Sequence, residues 1–496
     1  MSNNLPAFRF FADSRSPQLG RDYDAEIHRY RAAYIEPAGY GLTVDAFPGA
    51  DVIEVIDDPE PQQGGPGRQE PIIIKRLRVP ADTVAFDFTI RRSNGGFDRN
   101  VIKKIDRLEG VINEAQPDPP WSLSVTVPMQ GTYHCTIRLR NRSGNGPTGQ
   151  ASLILRDHLV VGLGESFASG EGNPDKSGQV DQLGAARCEA ASLRITVHGL
   201  DKAGVSMRRS AAWLEPEAHR SLRSGQARGA KAAQDLSNGR VITFLSFATS
   251  SAQIERGLFD SQHPKWQATG QIEEARKAVG NAPIDAVLLS IGGNDVGFSG
   301  GLQELAADFQ GGGLDKMVRD TRRRIQALVP RFDALALRLQ SLVNPRRVYI
   351  TEYPTGMFDK KDLLGGPLGR RADGCEIFDS GAYMKVSSVD AAMIFELAHE
   401  LNDQLRRAAD QYGWTYLEGI VEGFAGHGYC TDEDERFWVR AVESCKKQGD
   451  YMGTMHPNER GHEIYQDVIA SALRQQFTGG SIERSGSLEP MLHMMT

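Results

Sequence analysis

Cysteine is scarce in this chain: Cys135, Cys188, Cys375, Cys430 and Cys445 are the five among 496 residues. An odd, low count in a long chain fits a reduced compartment rather than a disulfide-stapled scaffold. No C-x-x-C pair occurs, and His456 and His462 lie six apart with no thiolate nearby, so zinc-ligand spacing is missing. No apolar stretch approaches the roughly 18 residues of a membrane-spanning helix. Met1-Ser2-Asn3-Asn4-Leu5-Pro6-Ala7 lacks the apolar core of a signal peptide. Taken literally the protein is cytoplasmic; one secreted by another route, or with its signal removed, would read the same. Long basic runs are also missing. Lys103-Lys104 and Arg322-Arg323-Arg324 are short and read as solvated helix faces, and the net charge of −7 argues against a nucleic-acid partner. No internal repeat is visible. The apolar content of 40% and charged content of 24% are those of a soluble globular chain, here long enough for two to three domains.

Up to residue 155 the pattern is β. Trp121 to Val127 and Tyr133 to Arg140 alternate apolar and polar residues, with Met129-Gln130-Gly131 as a turn, so the pair is expected to form a hairpin. Ile72 to Leu77, Val84 to Ile90 and Ala151 to Leu155 add further strands. Short strands between Gly, Pro and Asn turns predict a β-sandwich-like domain over 1–155. No cysteine precedes Cys135, which excludes an immunoglobulin-type intersheet disulfide. Pro61 to Pro71 reads as a loop.

From residue 156 the pattern changes. Strands are expected at 158–163, 240–247, 285–291, 347–352 and 414–417. Helices are expected at 210–223, 271–279, 314–343, 387–412 and 459–475. Such alternation predicts an α/β domain over 156–477, a parallel sheet covered on both faces. The Gly/Ser-rich, then Met-rich tail at 478–496 is expected to be loosely ordered.

Three segments of this second region carry chemistry. Leu159-Val160-Val161-Gly162-Leu163 runs into Gly164-Glu165-Ser166-Phe167-Ala168-Ser169-Gly170-Glu171-Gly172, a strand that stops in a tight turn. A serine there is presented at the carboxyl edge of the sheet, where open α/β sheets place their active sites. Ser290-Ile291-Gly292-Gly293-Asn294-Asp295 follows a second strand, and an asparagine there can aim its amide at a developing oxyanion. Met455-His456-Pro457-Asn458 precedes the last helical pattern. Asn458 is a good N-cap, and His456 sits on the entering loop. Serine, asparagine and histidine are the parts that acyl transfer needs.

In these motifs the chain resembles the SGNH (GDSL-like) hydrolases over roughly residues 156 to 475. Gly164-Glu165-Ser166 stands in the Gly-Asp-Ser position, Gly292-Gly293-Asn294-Asp295 in the Gly-x-Asn-Asp position and His456-Pro457-Asn458 in the histidine position. Arg209-Ser210-Ala211-Ala212-Trp213, Thr351-Glu352-Tyr353-Pro354 and Gly426-His427-Gly428-Tyr429-Cys430 echo its secreted actinobacterial esterase branch. The resemblance implies a three-layer, flavodoxin-like fold. It implies a serine ester hydrolase in which Ser166 is the nucleophile and His456 the base, with Asn294 and the backbone N–H of Ser251 as oxyanion donors. Ser169 is the next candidate nucleophile, and His427 is expected to serve structure. No metal or organic cofactor is needed. The substrate would be a small-molecule, lipid or glycan ester. An acyltransferase acting on a sugar or other alcohol, or a binding protein with a degenerate site, would carry the same residues.

The departures from the family pattern bear on the site. Glu165 replaces the usual aspartate, and Ser251 stands where a glycine is usual. Gly453 occupies the place of the acidic partner three residues before the histidine. A main-chain carbonyl near Gly453 is therefore expected to hold the imidazole, with Asp450 as a possible third member. Related esterases carry disulfides around Cys430 and Cys445, which implies a Cys430–Cys445 bridge. Cys188 precedes the Arg-Ser motif as its family counterpart does, but its usual partner position is Thr249, so Cys188 is expected to be free or differently paired.

Overall fold

The computed structural model of the protein describes residues 83–104, 122–144, 146, 148–190, 205–234, 240–263, 267–298, 313–358 and 382–477, with short strands at 6–13, 40–48, 54–56, 74–76, 375–379 and 482–483. The segment 61–71 lies outside these residues, as does most of the tail.

Five parallel strands form the heart of the molecule. In spatial order they are Arg240–Ser246, the second half of Thr148–Gly164, Ala286–Ser290, Val348–Thr351 and Thr415–Leu417. Numbered along the chain, that order is 2-1-3-4-5, the flavodoxin-like arrangement whose switch point lies between the first and third strands. Alternation along each strand feeds two cores. Val160, Ile242, Phe244 and Leu288 face helices Gly225–Ala233 and Glu459–Gln476. Val161, Leu163, Leu245, Val287 and Leu289 face helices Gln271–Val279, Leu328–Arg338 and Ser388–Tyr412. The inner strands, buried on both faces, read as continuous apolar runs and were legible for that reason; Thr415–Leu417, at the sheet edge, is only half-buried.

Thr148–Gly164 is the structural axis. Its first half pairs antiparallel with Gly131–Asn141, from Thr148↔Arg138 to Leu155↔Gly131. Its second half pairs in parallel with Arg240–Ser246, from Arg156↔Arg240 onward. The expected strands at 151–155 and 158–163 are thus one strand, and residues 155 and 156 lie inside it. Beyond it come Gly131–Asn141, Thr83–Arg92 and Asp98–Lys104, continuing the same sheet. A second sheet, Pro6–Asp13, Tyr40–Pro48 and Ser122–Val127, contributes Leu42, Leu123 and Val127 to a core shared with Phe86, Phe88, Ile90, Tyr133, Ile137 and Leu153. The N-terminal part is therefore two facing β-layers.

Three expectations need correction. Ser122–Val127 and Gly131–Asn141 do not pair as a hairpin: the first bonds to Tyr40–Pro48 and the second to Thr83–Arg92 and the long strand. Both alternating faces are apolar, and they meet across the sandwich instead of along an edge. No helix covers 210–223. That stretch holds a single 3₁₀ turn at Pro216–Ala218, ended by His219 at φ 45°, and the helix follows at Gly225–Ala233. The long helix expected over 314–343 is divided into Gly313–Gln326, Leu328–Arg338 and a π-type turn at Leu339–Val343, closed by left-handed Asn344. In the tail, Ile482–Glu483 adds a short antiparallel strand against Leu153 and Ser152.

Candidate active site

Ser166 stands at the switch point of the sheet. Gly164, at φ 138°, ends the long strand, and a Cβ there would overlap the Ser290 carbonyl. Gln271 clamps the Gly164 peptide from both sides, its Oε1 accepting from Gly164 N at 2.9 Å and its Nε2 donating to Gly164 O at 2.8 Å. Glu165 N donates to Ser290 O at 3.0 Å, and the chain then enters the single turn Ser166–Ser169. Ser166 is buried, with 4% of its surface exposed.

His456 arrives from the far end of the chain. Its loop is held by Val439, whose N donates to His456 O at 2.8 Å, and by His456 N donating to Gly453 O at 3.1 Å. Asn458 caps the following helix by accepting from Gly461 N at 3.1 Å. The result brings His456 Nε2 to 2.7 Å from Ser166 Oγ, while Nδ1 lies 3.1 Å from the Thr454 carbonyl. Burial lowers the affinity of His456 for a proton, and the Glu171 carboxylate opposes that effect.

Asp450 does not bond to His456. Its Oδ1 accepts from Gln448 Nε2 at 2.6 Å and Met452 N at 2.9 Å, and its Oδ2 faces His219 Nε2 at 3.7 Å. Asn294, at the end of the third strand, donates from Nδ2 to the Ala252 carbonyl at 3.1 Å. That bond ties it to the loop carrying Ser251, which is exposed and left-handed at φ 65°. The loop is tied in turn to the turn that carries Ser166 by Thr249 N, which donates to Gly164 O at 3.1 Å. His427 is elsewhere: its ring stacks on Phe437 at 3.9 Å and its Nδ1 meets Glu435 O at 2.5 Å.

The expected Cys430–Cys445 bridge is not formed. Cys445 pairs with Cys188, with Cα atoms 5.6 Å apart, and Cys430 is disulfide-bonded to a different cysteine. Helix Ala441–Gln448 packs Cys445 inward against helix Gln182–Ala190, so the thiol is turned to Cys188 with Tyr451 beside it. Cys135 is a buried free thiol.

Sequence reasoning missed a buried charge cluster next to His456. Glu171, with no exposed surface, accepts from His219 at 2.7 Å and from Gln448 Nε2 at 2.8 Å. Burial alone would raise the Glu171 carboxyl, but His219 overcomes it and holds it below the usual range. Glu171 correspondingly raises His219 against the effect of burial, so the pair is an ion pair. The ring of His219 stacks on Trp213 at 4.9 Å. Ligand-capable atoms of Glu171, His219 and Asp450 lie within 4.8 Å of one another, a spacing that also suits a cation, and both imidazole nitrogens of His219 face carboxylates. The signals were the Gly170-Glu171-Gly172 and Arg209 to Trp213 stretches, but nothing in either pointed to His219.

A family model described as the GDSL-like lipase/acylhydrolase family matches residues 215–464, half of the chain. The chain belongs to this family. The matched span of this hydrolase begins after Ser166 and includes Ser251, Asn294, Asp450 and His456. No curated protein matches it. Among solved structures it is similar to an extracellular lipase from Streptomyces rimosus, at 21% identity over 64% of this chain and 99% of that one, with a TM-score of 0.40. It is similar to a phospholipase A1 from Streptomyces albidoflavus at 18% identity, over 63% and 98% of the two chains, TM-score 0.38. A family two carbohydrate esterase from Clostridium thermocellum is similar at 10% identity, over 95% and 98%, TM-score 0.28. No helix among the described residues is long and apolar enough to cross a membrane.

Proposed function

We propose that this family member hydrolyses carboxylic esters with a Ser166–His456 pair. The observation that carries the reading is the 2.7 Å contact between Ser166 Oγ and His456 Nε2, with Nδ1 anchored on the Thr454 carbonyl. A carbonyl only accepts, so Nδ1 keeps its proton and Nε2 is left as the base. Ser166 Oγ attacks the acyl carbon as its proton passes to His456 Nε2, and the imidazolium then protonates the leaving alcohol. Water repeats the sequence on the acyl-enzyme. Backbone N–H groups of Ser166 and Ser251 and the Asn294 amide take the oxyanion, each such donor contributing about 3 kcal/mol. Burial lowers the proton affinity of His456, which favours the neutral imidazole that acts as the base. The test is a panel of p-nitrophenyl esters from acetate to palmitate, with glycan acetates and a phospholipid, run on wild type and Ser166→Ala, with and without an acceptor alcohol. Ser166→Ala should lose hydrolysis and phosphonate labelling while keeping its fold; activity within about tenfold of wild type would place the nucleophile elsewhere.

A further inference from the structure

Ser166 has one hydroxyl proton and two neighbours able to take it. Its Oγ lies 2.7 Å from His456 Nε2 and 2.7 Å from Glu165 Oε2. With Nδ1–H committed to the Thr454 carbonyl, Nε2 of the neutral imidazole accepts. An ionised Glu165 accepts through both oxygens, so it competes with the base for the same proton. A protonated Glu165 removes the conflict. Its Oε1 accepts from Tyr353 OH at 3.0 Å and Ser290 Oγ at 3.3 Å, leaving Oε2–H to donate to Ser166 Oγ. The serine proton then has one acceptor, His456.

We propose that Glu165 acts as a protonated positioning residue, whose acid O–H donates to Ser166 Oγ and commits the hydroxyl proton to His456, and whose ionisation disengages the nucleophile. This rests on the reading of Ser166 and His456 given above. In the attack the Oγ–H bond breaks, the proton moves to Nε2, a bond forms from Oγ to the acyl carbon, and the Glu165 proton stays on Oε2. Negative charge building on Oγ is steadied by a donor at 2.7 Å and opposed by a carboxylate there.

The surroundings favour the acid. Glu165 is 2% exposed, and among the described residues no lysine or arginine pairs with it. The titratable groups facing it are the phenols of Tyr353 and Tyr465, from the strand end and the last helix, and His456 across Ser166. Burial lifts its carboxyl to about 7, against hydrogen bonds from Ser166, Tyr353 and the main chain of Phe167 and Ser166 that favour the ionised form. Tyr353 OH also accepts from Gly293 N at 3.2 Å, which ties this acid to the loop carrying Asn294.

The experiment is the pH dependence of fluorophosphonate labelling for wild type, Glu165→Gln, Tyr353→Phe and Ser166→Ala. Wild-type labelling should rise as His456 loses its proton, then fall about tenfold on the alkaline side as Glu165 ionises. Glu165→Gln keeps an N–H for Oγ and cannot ionise, so the alkaline fall should vanish. Tyr353→Phe removes a donor that favours the carboxylate, so the fall should move to higher pH. An unchanged fall in Glu165→Gln, or no fall in wild type, overturns the proposal. Should Glu165→Gln not fold, a fall in Tyr353→Phe that stays in place or moves to lower pH overturns it equally. Labelling that survives in Ser166→Ala refutes the nucleophile itself; its loss there, with an unchanged alkaline fall in Glu165→Gln, refutes only the role of Glu165.

Discussion

Replacing Asp450 by asparagine removes a charge while keeping most of a shape. Both of its short hydrogen bonds, from Gln448 Nε2 and Met452 N, end on Oδ1, which an asparagine retains. The atom that changes is Oδ2, which faces His219 Nε2 at 3.7 Å and not His456. An amide there would set a donor against the protonated ring and weaken the His219–Glu171 pair, an indirect effect on the base. We expect kcat/KM to fall by about tenfold or less, roughly 1.4 kcal/mol of transition-state stabilisation. A triad aspartate is worth on the order of 10⁴, roughly 5.5 kcal/mol, because it fixes the tautomer and stabilises the imidazolium. The two figures are far enough apart for a steady-state assay on a short-chain p-nitrophenyl ester to separate them, with a circular-dichroism melt to show that the variant is folded. A loss near 10⁴ in a folded protein would refute the carbonyl-anchored pair and make Asp450 the orienting acid.

Cys188→Ser opens a loop of 257 residues, for which chain entropy alone gives a ceiling of about 5.5 kcal/mol. Urea unfolding should show a loss of several kcal/mol, and an unchanged midpoint would mean that the bridge constrains nothing. Ser251→Gly should stabilise by up to about 1 kcal/mol, because Ser251 is exposed and held at φ 65°; a lowered melting temperature would show that its side chain contributes there. His462 is fully buried, accepts from Gly225 N at 3.1 Å and is lowered from 6.5 to about 3 by burial and nearby positive charge. Below 6.5 the unfolded chain binds a proton that the folded one refuses, so this contribution to stability is present above 6.5. It is lost as pH falls toward 3, at about 1.4 kcal/mol per unit. His462→Gln should flatten that slope in acid unfolding curves, and an unchanged slope would assign it to other groups.

The parallel strands and the helices Gln271–Val279, Ser388–Tyr412 and Glu459–Gln476 could be read from the sequence because burial on two faces or one stripe imposes its own period. Helix Gly225–Ala233 could not. Its Gly225 and Gly229 disfavour a helix by propensity, and they are there because a Cβ at either would strike Tyr465 or Ile469 of the last helix. The Ser166, Asn294 and His456 stretches were legible because each follows or precedes a recognisable element. Glu171 and His219 are 48 residues apart on irregular chain, and no local pattern predicts that a buried carboxylate finds its counter-charge there. The cysteine pairing failed for a related reason: the true partners are 257 residues apart, and the family resemblance pointed to a local bridge instead.

The strand Thr148–Gly164 also limits how this protein can be recombined. A cassette taken from residue 156 onward would leave behind half of the strand whose other end delivers Ser166. It would forfeit the pairing between Thr148–Leu155 and Gly131–Arg138 that carries this strand into the N-terminal layers, although Arg156–Gly164 would keep Arg240–Ser246 and Ala286–Ser290 as neighbours. Grafts, truncations and fusion points should therefore keep Gly131–Asn141 and the whole long strand together, with joints placed in loops on either side. The N-terminal layers and the hydrolase core share a beam rather than a hinge, and a scissor has no neutral place to cut between them.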